Sequence, residues 1–293
     1  MEEYHLFRIS DLDIRISFKE SDKNSMELLP SFETFRIDTA TSDLLFSLTV
    51  DDNIHLIRKG EMIRKFDTGS GDTLVFLLPD GGYQYIIRNT QGDNCCLLQT
   101  NKSFDNCLCA LNGTPGMRSF GLNNALMLVF AFAASHYNTL LVHASCVSHN
   151  GFAYPFIAKS GTGKSTHSDL WMKYIPDTEL INDDNPIIRI IDGTPYLYGS
   201  PWSGKTPCYR NIKLPLGAIT RIERGKENHI EKLKPIVAFA SLLPSCSSMK
   251  WDSTIHNNLC NTVTRVIEAT PIYTLHCLPD EDAALLCHKT IAK

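Results

Sequence analysis

The residues best suited to chemistry lie in the run from Ile157 to Thr166, which reads I-A-K-S-G-T-G-K-S-T. The run matches the phosphate-binding pattern G-x-x-x-x-G-K-[ST], except that Ala158 stands at the first glycine. In such a loop, backbone N–H groups turn inward around phosphate oxygens, and the N-terminus of the following helix adds a favourable dipole. Residues 158–166, named here the glycine loop, therefore predict a site for a nucleoside triphosphate.

The residue types in the glycine loop divide the binding of a triphosphate among them. Lys164 neutralises the β- and γ-phosphates, and the hydroxyl of Ser165 is placed to bind Mg²⁺. The other predicted nucleotide-binding residues are Ser160, Gly161, Thr162, Gly163 and Thr166. The alternative, an accidental glycine turn, is disfavoured because residues 152–158 are strand-like and the segment after Ser165 is helix-like. The expected cofactors are ATP, or another nucleoside triphosphate, and Mg²⁺.

Two adjacent carboxylates follow the glycine loop, in the run L-I-N-D-D-N over residues 180–185. An apolar strand that ends in Asp183 and Asp184 places both at the carboxyl edge of a sheet, where α/β folds bind ligands. One carboxylate can hold a metal ion while the other accepts a hydroxyl proton. The alternative is a solvated turn, since Asp-Asp-Asn before Pro186 is ordinary turn chemistry. Proximity to a phosphate-binding loop favours the first interpretation.

Together, A-K-S-G-T-G-K-S-T-H and L-I-N-D-D-N resemble the HPr kinase/phosphorylase and PEP-carboxykinase group of P-loop proteins, over roughly residues 120–290. The strand preceding the loop also matches, since kinases of this group carry a histidine there and this chain has His143. The resemblance implies that Asp183 is the general base toward the acceptor hydroxyl. It places Asp184 with Ser165 in the metal shell, and His143 near the transferred phosphoryl group. Taken alone, a histidine such as His143 is more often a satisfied core residue, and that alternative stays open beside the catalytic role.

A Gly/Pro-rich loop, G-S-P-W-S-G-K at residues 199–205, is similar to small kinase-like members of the same group. Lys205 and Arg210 are candidates to supply positive charge to the moving phosphoryl group or to an anionic substrate. The alternative is a loop with two solvated cations. The chain lacks the glutamate-bearing signature that HPr kinases carry after the aspartates, and it is too short for a complete PEP carboxykinase. It more resembles stand-alone kinases of the group, including those that phosphorylate a serine in a small peptide precursor.

The remaining sequence predicts an α/β fold, α+β overall, in which a PEP-carboxykinase-type P-loop domain (116–293) follows a small β-rich domain (1–115). Short alternating segments in the first part predict antiparallel strands at 7–9, 14–16, 54–57, 73–78 and 83–87, with turns at 69–71 and 79–82. We assign this domain a role in substrate recognition from its position before the catalytic part. In the second part, strands are expected at 140–147, 152–158, 179–182, 187–191, 216–222 and 272–278. Helices are expected at 123–136, 165–174, 237–243, 253–268 and 280–291.

Composition limits the classes of partner. With 43% hydrophobic and 20% charged residues in 293, and a net charge of −4, the chain is typical of a globular protein without an electrostatic grip on nucleic acid or membranes. The apolar run 125–134 is too short to cross a bilayer. The start of the chain resembles no signal peptide, and the ten cysteines are scattered without zinc spacing, so a reduced, cytoplasmic protein is expected. A homo-oligomer is compatible with this composition.

The leading hypothesis is ATP- and Mg²⁺-dependent phosphoryl transfer to a hydroxyl, first of a peptide or protein serine and second of a small metabolite. One alternative is a regulatory module that binds a nucleotide without transferring phosphate. Another is a carboxykinase-like or phosphorolytic reaction, which predicts turnover with an oxo acid or with phosphate.

Overall fold

The computed structural model describes residues 3–41, 43–67 and 71–293, and the chain divides into two compact units between Ala134 and Ser135. The helices and strands of the first unit are β1 (Glu3–Ile9), β2 (Leu12–Phe18), β3 (Arg36–Ile37), β4 (Phe46–Val50), β5 (Glu61–Asp67), β6 (Asp72–Leu77), β7 (Tyr83–Arg88), β8 (Asn94–Thr100), β9 (Asn106–Leu111) and α1 (Pro115–Ala133). Those of the second unit are β10 (Thr139–Leu141), β11 (Ala144–His149), β12 (Phe152–Ile157), α2 (Lys164–Tyr174), β13 (Glu179–Asp184), β14 (Ile187–Ile191), β15 (Thr194–Tyr198), β16 (Lys213–Pro215), β17 (Ile219–Arg224), β18 (His229–Lys232), α3 (Pro235–Leu242), α4 (Ser253–Ala269), β19 (Ile272–Cys277) and α5 (Glu281–Ile291). Short 3-10 turns cover Met26–Leu28, Pro30–Phe35, Ala134–Tyr137 and Leu243–Ser245.

Within the described residues, the first unit contains one nine-stranded sheet in the order β3-β1-β2-β4-β9-β8-β7-β6-β5. It is mixed, and not antiparallel as the sequence suggested, because β2 pairs with β4 and β4 with β9 in parallel. Parallel neighbours require a long crossover, and residues 19–45 and 51–105 supply it. The alternating burial of β4, in which Phe46, Leu48 and Val50 are inside, shows that one face of this sheet carries the core.

Two further predictions for the first unit were a strand at 54–57 and a turn at 69–71. Residues 54–57 do not form a strand, because polar side chains take up their backbone groups. The N–H of Ile57 donates to Oε1 of Gln84 at 2.9 Å, and the carbonyl of His55 accepts from Nε2 of Gln99 at 2.8 Å. The turn expected at 69–71 lies mostly on residues outside the described ranges.

Helix α1 belongs to the first unit, so the division lies after Ala134 and not near residue 115. Thr114 and Pro115, at the boundary expected from the sequence, start this helix instead. Thr114 caps it by accepting from the N–H of Met117 at 3.4 Å, and Pro115 occupies its first turn. Gly121 lets the helix approach the sheet, since a Cβ there would lie 2.8 Å from the carbonyl oxygen of Cys95.

The segment Pro115–Tyr137 is long and apolar enough to cross a membrane by length and composition. However, 61% of its most apolar stretch is buried inside the protein. Buried core helices pass the same test of length and hydropathy, so this helix is weak evidence for a membrane span.

The second unit is mixed α/β and contains two sheets, of which the larger has the order β13-β11-β12-β17-β19-β18. A smaller sheet has the order β10-β14-β15-β16. One core cluster joins the larger sheet to α2 and α5 around Trp171, Phe156 and Cys287. A second cluster joins it to the smaller sheet, α3 and α4 around Ile181, Ile188 and Val263. The larger sheet is therefore covered on both faces.

The strand predicted at 140–147 is two strands in different sheets. β10 pairs with β14, whereas β11 pairs with β12 and β13. The chain changes sheets at Val142 and His143, where the N–H of His143 donates to the carbonyl of Ser245 at 2.7 Å. This bond removes His143 from regular strand pairing and leaves its side chain at the sheet's edge.

A buried histidine links α2 to the larger sheet. His167 is 2% exposed, its Nε2 accepts from Nε1 of Trp171 at 3.1 Å, and its ring packs edge-on against Phe156. Burial lowers the pKa of His167 to about 4, so this side chain is neutral at neutral pH.

We expect His167 to make the fold acid-sensitive between pH 6.5 and 4. The unfolded chain binds a proton near the ordinary pKa of 6.5, whereas the folded residue stays neutral until about 4. The stabilisation is therefore complete above pH 6.5 and declines as the pH falls, by a total of about 3 kcal/mol. Urea unfolding at both ends of this range should show a smaller decline for His167→Gln, which retains an acceptor for Trp171. Equal declines in the two proteins would contradict this assignment.

Candidate functional site

Three strand ends meet at one edge of the larger sheet. β11 lies between β12 and β13 and is antiparallel to both, so its first residue lies beside the last residues of its neighbours. Ala144 accordingly pairs with Ile157 and with Asp184. His143, which precedes Ala144, is thereby placed between the glycine loop and the paired aspartates.

The glycine loop joins β12 to α2, as the sequence predicted. Gly161 has φ +75° and Gly163 has φ +127°, a region that side chains disfavour, so both positions require glycine. No side chain caps α2, which leaves the N–H groups of its first turn to an anion. Ala158, the departure from the motif, is not among the described residues with positive φ, so its methyl group causes no backbone strain.

A chain of polar contacts runs from the glycine loop to the second aspartate. Nζ of Lys164 lies 2.8 Å from Nε2 of His143, and Nδ1 of His143 lies 2.7 Å from Oδ1 of Asp184. An ammonium can only donate, so Nε2 accepts and the ring proton resides on Nδ1, which donates to the carboxylate. Burial lowers the pKa of Lys164, and the charges of Asp184 and Asp183 oppose that shift.

The first aspartate contacts the other end of the loop. The hydroxyl of Ser165 donates to Oδ1 of Asp183 at 2.8 Å. Asp183 is 5% exposed, and its carbonyl accepts from the N–H of Gly204 and from Oγ of Ser203. The structure thus joins Ser165 to Asp183 and Asp184 to His143, whereas the family resemblance implied that Ser165 and Asp184 share the metal.

The donor set at Ser165 fits magnesium. Among the described residues there is no group of three or more His, Cys, Asp and Glu side chains suited to a metal ion. Magnesium in nucleotide sites, however, is held by one or two oxygen side chains together with phosphates and water. The exposed hydroxyl of Ser165 and the adjacent carboxylate of Asp183 offer such oxygens.

Asp184 has a strained backbone, with φ +138°. Few residues other than glycine adopt this conformation, and surrounding structure must impose it. Here Asn185 donates to Oδ2 of Asp184 at 2.9 Å, and Asp184 forms an isolated antiparallel bridge with Ser203. In this conformation Oδ1 of Asp184 lies 2.7 Å from Nδ1 of His143.

A buried amide that sequence reasoning missed holds the loop at 199–208. Nδ2 of Asn182 donates to the carbonyl of Trp202 at 3.0 Å, and Oδ1 accepts from the N–H of Asn185 at 2.9 Å. Ser200 joins the network by donating to the carbonyl of Asn185 at 2.6 Å. The sequence did contain a sign of this role, namely a polar residue inside an otherwise apolar strand, because a buried amide needs hydrogen-bond partners.

The two predicted substrate cations have different positions. Lys205 is exposed and follows Gly204, at which a Cβ would lie 2.9 Å from the carbonyl oxygen of Asp183. Arg210 is not brought to the aspartates. Its guanidinium binds the carbonyl of Leu180 at 2.9 Å and the carboxylate of Glu179 at 2.8 Å, at the opposite end of β13.

Two other arginines, which sequence reasoning did not single out, lie beside the loop. β17 runs parallel to β12 and ends at the same edge of the sheet. Arg224 donates to the carbonyl of Gly161 at 2.8 Å, while Arg221 donates to Oγ of Ser241 at 3.1 Å and pairs with Glu223. Alternation along β17 directs these arginines to opposite faces of the sheet.

A cavity lies on each side of the glycine loop. One, of about 550 Å³, is bounded by Thr166, Leu170, Ile222, Leu278 and other residues of α2, β17 and the end of β19. The other, of about 420 Å³, is named here the α3 cleft. It is lined by His143, Ile157, Ala158, Lys159, Ser160, Arg221, Ala240, Ser241, Pro244 and Ser245. Ligands on both sides can therefore meet at the loop.

Comparison with known proteins adds little to this geometry. No family model matches the chain, and no curated protein matches it significantly in sequence. Among solved structures, the fold is similar to that of the HPr(Ser) kinase/phosphatase from Coxiella burnetii. The TM-score is 0.31 and the sequence identity 9%, with 51% of this chain and 91% of the other covered. At this TM-score the link is a weak one at the level of the fold, and it carries no argument about the site.

Replacing Gly161 by alanine should weaken nucleotide binding beyond any loss of stability. Gly151, in the turn between β11 and β12, has φ +77°, close to the +75° of Gly161, and a Cβ at either position meets nothing within 4 Å. Both alanine variants should lose about 1 kcal/mol of stability from backbone strain. Only Gly161→Ala should bind ATP more weakly in calorimetry, because only its strain displaces phosphate-facing N–H groups. Equal affinities in the two variants would contradict a phosphate-binding role for the loop.

Proposed function

We propose that this protein transfers the γ-phosphoryl group of ATP, with Mg²⁺, to a hydroxyl group, first of all to a serine of a peptide or protein. The observation that carries the proposal is the polar chain Lys164–His143–Asp184, set beside the pair formed by Ser165 and Asp183. It puts a cation, a proton acceptor and metal-binding oxygens within one site. These are the groups that phosphoryl transfer requires, since its catalysis is mainly positioning and charge stabilisation.

The cavity of about 550 Å³ suits the nucleoside. Its apolar walls, from Leu170, Ile222 and Leu278, offer a surface for a base, and Thr166 offers a hydroxyl near the first turn of α2. The phosphates would then lie along the glycine loop toward Lys164. The terminal phosphoryl group would face the α3 cleft, where the acceptor enters.

The proton of the acceptor hydroxyl would go to Nε2 of His143. Lys164 occupies that nitrogen in this structure, and pairing of the ammonium with phosphates would release it. Asp184 holds the opposite ring nitrogen, which orients the imidazole and stabilises its charged form. The acceptor oxygen forms its bond to the γ-phosphorus as the bond from that phosphorus to the bridging oxygen breaks, and the nucleoside diphosphate leaves.

Ser165 and Asp183 are the residues proposed to hold Mg²⁺. When bound, the ion neutralises charge on the transferred group and on the leaving oxygen. This division reverses the one implied by the family resemblance, in which Asp183 was the base and Asp184 a metal ligand. It is supported by the hydrogen bond between Ser165 and Asp183, and by the His143 contact of Asp184.

The first prediction for this function is that Lys164→Ala abolishes transfer and weakens ATP binding by at least about tenfold, because the β- and γ-phosphates lose their cation. Lys173→Ala, which removes a lysine from the last turn of the same helix, is the matched control and should behave as wild type. Transfer can be followed with γ-labelled ATP and serine-containing peptides. Unchanged ATP affinity in Lys164→Ala would overturn the proposed nucleotide site.

A second prediction separates the two aspartates. Asp184→Asn should lower kcat by about 100-fold or more with little change in Mg·ATP affinity, because only proton transfer is impaired. Asp183→Asn should instead raise the Mg²⁺ concentration needed for half-maximal turnover. Asp192→Asn, in the turn between β14 and β15, serves as the control.

The reverse pattern would support the roles implied by the family resemblance, and binding without transfer to any acceptor would favour a regulatory nucleotide-binding module. Turnover only with phosphate or an oxo acid would favour the phosphorolytic or carboxykinase-like reaction.

A further inference from the structure

Helix α3 presents apolar side chains to solvent at the edge of the proposed active site. Ile236 is 85% exposed, more than any other large hydrophobic residue among those described, and Val237 is 46% exposed. The helix does not need these two side chains for its packing, because Ala238 and Leu242 bury its inner face. Covering the side chain of Ile236 with a partner would therefore disturb none of these packing contacts. It would also be favourable, because apolar surface would be removed from water.

The exposed side chains are continuous with the α3 cleft. Residues four apart lie on the same face of a helix, so Ile236 and Ala240 form one row, and Val237 lies beside it. Ala240 and Pro244 line the cleft that also contains His143. The row therefore leads from the proposed proton acceptor outward along the surface of α3.

The cleft itself joins apolar and cationic groups. Ala240 of α3 and Pro244 give it an apolar lining, whereas Ser241 of the same helix accepts a hydrogen bond from the guanidinium of Arg221, which also pairs with Glu223. At about 420 Å³ it is large enough for one side chain and its backbone, but the apolar row extends beyond it. A small metabolite confined to the cleft would leave Ile236 uncovered. An extended chain that enters the cleft with one residue can cover Ile236 with a neighbouring residue.

We propose that the acceptor is a polypeptide segment in which an apolar residue lies next to, or within a few positions of, the phosphorylated serine. The serine enters the α3 cleft, and the apolar side chain packs on the row formed by Ile236, Val237 and Ala240. This inference rests on the proposed function, because it assumes that phosphoryl transfer takes place at His143. Beyond that function, it names the surface that would select the acceptor, and it specifies that the acceptor sequence has an apolar residue near the serine.

The test is a serine peptide library in which each flanking position is varied in turn, incubated with γ-labelled ATP and Mg²⁺. Wild type should prefer Leu, Ile or Phe over Asp at one or more flanking positions. Ile236→Asp should lose that preference and lower kcat/KM for the best peptide by about tenfold or more, since the apolar contact is lost. Its ATP affinity should not change. Leu285→Asp is the matched control, because Leu285 is 42% exposed on α5 and lies outside the cleft.

The possible outcomes distinguish the two proposals. Transfer with no apolar preference, or with a preference that Ile236→Asp leaves intact, would overturn the docking role of α3 and leave the kinase function standing. ATP binding without transfer to any peptide would overturn this inference, and absence of transfer to any acceptor at all would overturn the proposed function as well. Equal losses in Ile236→Asp and Leu285→Asp would also count against α3, because a specific surface predicts a difference between them.

Discussion

The site depends on the antiparallel placement of β11 between β12 and β13. Because the middle strand begins where its neighbours end, one sheet edge receives the glycine loop, His143 and both aspartates. No loop has to reach across the fold to assemble them. The contacts of 2.7 and 2.8 Å along the Lys164–His143–Asp184 chain follow from this pairing and from the change of sheet just before β11.

At this edge of the sheet, the charges of Lys164 and the two aspartates and the strained backbone of Asp184 are parts of the same set of contacts. A half-buried ammonium is costly unless carboxylates lie near it, and Lys164 has both aspartates close enough to oppose the effect of burial on its pKa. Asp184 holds its contact with His143 from a backbone conformation with positive φ, which the surrounding structure must impose. A bound triphosphate would compete for Lys164 and release His143, so nucleotide binding and readiness for proton transfer would be coupled.

The two faces of the sheet separate the two substrates in this scheme. α2 and the end of β19 bound a cavity on one side of the glycine loop, and α3 bounds the cleft on the other. β17 contributes to both because alternate residues point to opposite faces, with Arg221 on the acceptor side and Arg224 on the nucleotide side. In the proposed reaction, the exposed apolar row on α3 would lie next to the transferred phosphoryl group, where the acceptor would be recognised.

The sequence by itself determined the local features of this protein. Strand, glycine loop and helix follow one another at residues 152–174 as expected, because the positive φ of Gly161 and Gly163 and the start of α2 are properties of neighbouring residues. Tertiary structure alone decided which residues meet. Hydrophobic pattern could not show that residues 140–147 change sheets, nor that Arg210 binds the far end of β13, since both depend on pairing between distant segments. The hydrogen bond between Ser165 and Asp183 and the exposed face of α3 could not be predicted from the sequence either, because each is set by what packs around it in space.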